Sequence, residues 1–156
     1  MPRILQILFS RCTDPARELE FNRWYTHAHL PDLSAAPGFV SARRFSNALP
    51  APGDAPYMAM YELETPNAAT ALRDLTTLAL GAFDAGRHID CIEGVSAGAS
   101  PTGGQWQEIE SSSLDPLPAL DYPPAPPAIR QHMLDAIEQL DHAARQAAEP
   151  TRGSRG

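Results

Sequence analysis

The chain carries only 2 cysteines in 156 residues, and neither Cys12 nor Cys91 stands in a CxxC or Cys/His metal spacing. A disulfide framework and a zinc site are not offered by such a sequence, and both cysteines read as reduced thiols. Basic residues are scarce too: 12 Lys plus Arg stand against 19 Asp plus Glu, a formal net charge of −7. The pair Arg43 and Arg44 is too small a patch to form a phosphate-binding stripe, so no nucleic-acid partner is expected. No apolar run approaches the roughly 18 to 20 residues of a membrane span. The start, MPRILQILFSRCTDP, lacks the small-residue cleavage site of a signal peptide, and a cytoplasmic location away from membranes is expected. A glycine-rich phosphate loop, a serine nucleophile elbow and a Rossmann fingerprint are all missing.

What is present is enough apolar residue, 43% of the chain, for one domain with a useful core. The 16 prolines are unevenly spread, and six of them fall between Pro116 and Pro127. That distribution divides the chain into a compact body, residues 1–100, and an extension, residues 101–156, with the boundary near Pro101.

Within the body, RILQILFS at residues 3 to 10 reads as a strand with two mostly apolar faces. Thr13-Asp14-Pro15 supplies a cap and a proline for the first turn of a helix expected to run to about Leu30, where Pro31 and Pro37-Gly38 close it. Strands are expected at 39 to 46 and 57 to 64, a second helix from Ala68 to about Ala85, and a fourth strand from His88 to about Val95. The order is the split βαβ pattern of a ferredoxin-like α+β domain, βαββαβ. Two helices on one side of four strands leave the other side bare. That side is expected to carry Ile4, Gln6 and Leu8, and a second copy of the chain is expected to cover it as a homodimer. In the extension, residues 114 to 128 read as semi-rigid and extended. Ile129, Met133, Ile137, Leu140, Ala144 and Ala147 then mark an amphipathic helix over about 128–148. It either docks on its own or the partner subunit, or recruits a different protein.

The chemistry concentrates in FNRWYTHAHLP, residues 21 to 31. At about 100° per residue, Phe21, Trp24, Tyr25 and Ala28 share a packing face, His29 and Asn22 stand at its edge, and His27 projects nearly opposite. Histidines two apart share no helical face, so a helix-borne metal site is not offered. Two readings of His29 stand side by side. It is a helix-end histidine kept charged by the macrodipole, or a general acid or base pointing into a cavity with Tyr25 beside it.

Other candidates are Gln6, as a substrate-orienting amide or an interface hydrogen bond, and Arg44, as a carboxylate partner if it points inward, Arg43 taking that place if the register slips by one. His88 and Asp90 are expected to share a strand face near Ser10 and Cys12, where a Cys/His nucleophile is the sharper reading and a small buried thiol the plainer one. Asp32 either orients His29 or caps the following turn.

The segment EFNRWYTHAHLPDLSAAPGFVSARRF resembles the EthD-like group of the dimeric α+β barrel superfamily, with its Trp-Tyr, His-Leu-Pro, Pro-Gly-Phe and Arg-Arg-Phe elements. The likeness covers residues 3 to about 95 and is fairly specific for fold and weak for reaction, since the superfamily spans cofactor-free monooxygenases, cyclases, isomerases, dehydratases, decarboxylases and haem-dependent enzymes. What the resemblance implies is limited to matching positions. His29 falls on the histidine of the His-Leu-Pro element, Trp24 and Tyr25 on the aromatic pair, and Arg43 and Arg44 on the strand arginines. The extension after Pro101 departs from short members and would cover the mouth of the cavity. Together these give an expected cofactor-independent lyase or isomerase for a small aromatic or polyketide-like compound, with His29 and Tyr25 catalytic, and Gln6, Asn22, Trp24, Arg44 and His88 binding substrate. The alternatives are a cofactor-free monooxygenase of a phenol and a non-catalytic binding protein using its terminal helix.

Overall fold

The structure, a computed structural model, describes residues 1–95 and 104–149. The boundary expected near Pro101 lies outside the described residues. The fold is α+β, with a five-stranded antiparallel sheet in the order β4-β1-β3-β2-β5. Its strands are β1 (Arg3–Cys12), β2 (Phe39–Asn47), β3 (Tyr57–Glu64), β4 (Ile92–Gly94) and β5 (Trp106–Glu108). This arrangement is compatible with a ferredoxin-like α+β fold.

After β1, Asp14 accepts a hydrogen bond from the Ala16 amide and Pro15 opens a short 3-10 turn, as the cap signal predicts. Helix α1 (Glu18–Trp24) then passes through a π turn (Tyr25–His29) into α2 (Leu30–Leu33). The sequence reading stops this helix at Leu30; the observed path runs on through Pro31. A proline at the start of a turn donates no hydrogen bond, and the Leu30 amide reaches back five residues to the Tyr25 carbonyl, widening the helix just before it. At Gly38, φ is +77° and the Glu64 amide donates to its carbonyl. A β-carbon there would stand 1.8 Å from the Glu64 carbonyl oxygen, so only glycine fits. Helix α3 (Ala68–Asp84) starts at Asn67, whose side chain accepts from the Thr70 amide.

Pairing fixes which side of each strand meets the helices. Ile4 lies opposite Leu63, Gln6 opposite Tyr61 and Leu8 opposite Ala59. Tyr61 bonds Tyr25 on the helix, so Ile4, Gln6 and Leu8 face the helices and not the bare side. The expectation for β1 is thus reversed: Leu5 and Ile7, 51% and 41% exposed, occupy the bare side with Met58, Met60 and Phe45. On β2 a bulge between Phe39 and Ser41 takes Val40 out of phase, and Ala42 and Arg44 face the helices while Arg43 points to the bare side.

The fourth strand is shorter than the sequence pattern predicts. His88 and Asp90 precede β4 and do not share a strand face; Asp90 pairs with Arg17 instead, 2.8 Å away. β5, which the sequence reading lacks, adds to the free edge of β2.

The following segment lies across α1. Arg23 donates to the Asp115 and Pro116 carbonyls, His27 bonds the Leu114 carbonyl, and the Tyr122 hydroxyl donates to Glu20. Helix α4 (Pro127–Ala148) packs on α3 of its own chain, with Arg73 bonded to Asp141 and Arg130 to Asp84. Among the described residues no helix is long and apolar enough to cross a membrane.

Candidate functional site

Tyr25, His29 and Leu33 follow one another at intervals of four and emerge along one side of the widened helix into a cavity of about 290 Å³. The remaining wall comes from Leu8, Phe9 and Ser10 on β1, Leu72, Leu75, Thr76 and Ala79 on α3, His88 before β4, Ile92 and Gly94 in it, and Met133 on α4. Apart from the hydroxyls of Ser10, Tyr25 and Thr76 and the two imidazoles, this wall is apolar.

His29 is only 6% exposed. Its ring stacks on Trp24, with centroids 4.6 Å apart and planes 23° apart, and meets Tyr25 and His88 edge to face at 5.0 and 5.3 Å. Trp24 is itself anchored, donating from Nε1 to the Arg87 carbonyl at 2.8 Å. The Nδ1 of His29 is buried without a hydrogen-bond partner. Burial, reinforced by the neighbouring His88 and by the positive Arg44, holds its pKa well below the ordinary imidazole value. The helix-end reading needs a charged ring at a helix terminus; burial opposes that charge, and the helix runs on past His29 to Leu33.

His88 is pushed down to about 4 by burial, with a hydrogen bond to the Ile89 carbonyl opposing the shift. It stacks on Phe83, centroids 3.7 Å apart. The Tyr25 hydroxyl bonds the Tyr61 hydroxyl at 3.1 Å, and burial raises both phenols above their ordinary value. At neutral pH this cluster is an uncharged set of imidazoles and phenols around an apolar space.

The sequence-predicted residues divide into three groups. His29, Tyr25 and His88 line the cavity, and Trp24 backs His29 from behind. Arg44 and Asn22 lie elsewhere, bonded to each other at 2.9 Å, and Arg44 borders a different cavity on the far side of the same helix. Gln6 faces the helices opposite Tyr61 and is not part of the cavity wall. Asp32 does not orient His29; it forms a two-pronged pair with Arg87, both contacts at 2.9 Å. Cys12 and Cys91 meet each other, sulfurs 3.5 Å apart, and neither lines the cavity with His88.

The sequence reading missed Thr76 and Met133 as wall residues; it took Tyr61, with Tyr57 on the same strand face, as core or interface, and the structure buries Tyr61 in the core on the side of Ala59 and Leu63. Met133 had a signal in the apolar stripe of α4, but nothing local says where that stripe docks. Among the described residues, no cluster of His, Cys, Asp and Glu is arranged to hold a metal ion.

Compared with protein-family models, with curated proteins and with solved structures, the chain matches none.

Proposed function

We propose that this protein is a cofactor-independent lyase or isomerase acting on a small aromatic or polyketide-like compound, with His29 as the general acid or base. The observation that carries this reading is the His29 imidazole: neutral, with Nδ1 unpartnered, fixed between Trp24 and Tyr25 and opening on a largely apolar cavity. A neutral imidazole takes a proton from a substrate only if the charges so formed are stabilised locally. An enolate or phenolate left on the substrate answers the new imidazolium, and the Tyr25 hydroxyl, steadied by Tyr61, donates to the developing oxyanion. His88 closes the same wall as a second hydrogen-bonding group for substrate. The chain contains no lysine, so a decarboxylation through a lysine imine is not available to it. Proton transfer by an imidazole in a dry pocket is what these residues do supply.

Met133 in the cavity wall and the α3–α4 ion pairs favour α4 as a cover over the site rather than a surface for a different protein. The ferredoxin-like βαββαβ body pairs with a second copy through its bare sheet face, where Leu5 and Ile7 are exposed and Phe9, Met58 and Met60 half-buried, an apolar centre of the kind that marks an interface. Their flanks are charged, with Arg3 bonded to Glu62 and Glu64 and Arg11 to Glu93.

The test is a crystal structure of the full chain soaked with neutral phenols, β-diketones and aromatic acids, followed by turnover assays on every compound that binds. Density against His29 and Tyr25, with turnover lost in His29→Ala, supports the reading. Turnover unchanged in His29→Ala, or no compound entering this cavity, overturns it.

A further inference from the structure

The helix that carries His29 has a cavity on each side. The second, about 330 Å³, is walled by Thr26, Leu30 and Ser34, one position on from Tyr25, His29 and Leu33, with Pro31, and by Phe39, Ala42, Arg43 and Arg44 of β2 together with the Glu108–Ser111 segment. The two cavities share no wall residue.

Arg44 sets this second cavity apart. Its residue is 2% exposed, so its charge lies out of water. The guanidinium donates to Thr26 Oγ1 at 3.1 Å, to Asn22 Oδ1 at 2.9 Å and to the Asn22 carbonyl at 3.4 Å, and its buried Nε has no acceptor. The rings of Tyr25, Tyr57 and Phe21 surround it, the nearest centroid 4.4 Å away. Among the described residues no carboxylate pairs with it. Every other arginine from Arg3 to Arg87 meets an acidic side chain or a pair of carbonyls at the surface.

Burying a guanidinium costs several kcal/mol unless an anion faces it, and aromatic faces and neutral oxygens offset only part of that. The neighbouring acids do not fill the place. Glu108 is held in a two-pronged pair with Arg43, both contacts at 2.8 Å, and Glu110 is exposed. Thr26 accepts from Arg44 and keeps its own hydroxyl proton to donate. Leu30, Pro31, Phe39, Ala42 and Ile109 make up the apolar part of the wall, and Ser34, Ser111, Glu110 and the Arg43–Glu108 pair its polar part.

We infer that this second cavity binds a small organic carboxylate, whose oxygens take Arg44 and Thr26 as partners while its apolar body lies against Leu30, Phe39 and Ala42. A singly charged head with an apolar body matches the buried Arg44 beside the apolar part of the wall, Arg43 being taken up by Glu108. Inorganic phosphate, doubly charged and strongly hydrated, does not.

Titration calorimetry and thermal melts of the full-length protein test this with benzoate, its neutral counterpart benzamide and inorganic phosphate as probes. Benzoate is expected to bind and raise the melting temperature, with benzamide and phosphate each about tenfold weaker or more. Arg44→Gln is expected to abolish the difference between benzoate and benzamide. Because that variant removes a buried group, Ser34→Trp serves beside it, closing the exposed rim without touching Arg44 or the His29 cavity. Loss of benzoate binding in Ser34→Trp supports the inference. Benzoate binding that survives in Ser34→Trp, equal binding of benzoate and benzamide, or tighter binding of phosphate overturns it.

Discussion

The imidazoles of His29 and His88 meet edge to face, ring centroids 5.3 Å apart, and among the described residues no acidic side chain is bonded to either. Both are buried, and both have pKa values below the ordinary imidazole value, mainly through desolvation. In the unfolded chain each would take up a proton near pH 6.5. A histidine with a lowered folded pKa contributes stability that is whole above the unfolded value and is lost as pH falls. The protein therefore loses stability between about pH 6.5 and 4, and the shift of His88 to about 4 corresponds to roughly 3 kcal/mol of it. Thermal melts from pH 7.5 to 4.5 check this: the midpoint falls steeply in the wild type and less in His88→Gln. The same sign applies to chemistry, so the acid limb of the rate profile lies below pH 6.5 if His29 is the base.

Replacing His29 by leucine separates function from stability. The substitution removes a buried nitrogen with no partner, a group that costs about 1–3 kcal/mol to leave unsatisfied. His29→Leu is expected to melt no lower than the wild type at pH 5.5 while turnover falls by about 10²- to 10⁴-fold. A marked drop in melting temperature would instead make His29 a packing residue.

On the bare sheet face, Ile7 sits at the centre, opposite Met60 and 41% exposed. The proposed dimer predicts two subunits for the wild type in sedimentation velocity runs and a monomer for Ile7→Asp, with an unchanged circular dichroism spectrum. A monomeric wild type would remove the dimer from the proposal.

Gly38 offers a check on the fold alone. A left-handed non-glycine residue costs about 1–3 kcal/mol even with room to spare. Here the new methyl group also collides with the Glu64 carbonyl. Gly38→Ala should cost more than that range in denaturant unfolding, whereas Gly53→Ala, with an open surround, should stay within it.

Much of this molecule was legible because certain residues leave no choice. Asp14-Pro15, Pro37-Gly38 and Asn67 are backbone signals whose conformations hold locally, and the observed caps and turns fall on them. β3 was readable because Ala59, Tyr61 and Leu63 alternate cleanly with Met58, Met60 and Glu62. β1 was not, since Leu5, Ile7 and Phe9 are as apolar as Ile4 and Leu8, and only pairing with β3 decides which set is covered. The same ambiguity misplaced Gln6. Nothing in Tyr25–His29 distinguishes a π turn from an α turn by composition, because the difference lies in which carbonyl each amide reaches. β5 escaped notice because three residues owe their strand conformation to the edge of β2. His29 and Tyr25 were found through the crowding of aromatics and histidines in one turn, whereas separating Arg44 from them required knowing that the helix has a cavity on each flank.

The π turn carries one residue more than an α-helix needs over the same span, since the Leu30 amide reaches the Tyr25 carbonyl five residues back. Deleting Thr26 or Ala28 would let Glu18–Leu33 run as one regular helix with both of its ends where they now lie. The wide turn absorbs the surplus, so Leu30 and Leu33 would keep their directions. This stretch is thus a place where the chain can change length by one residue while the walls before and after it stay put.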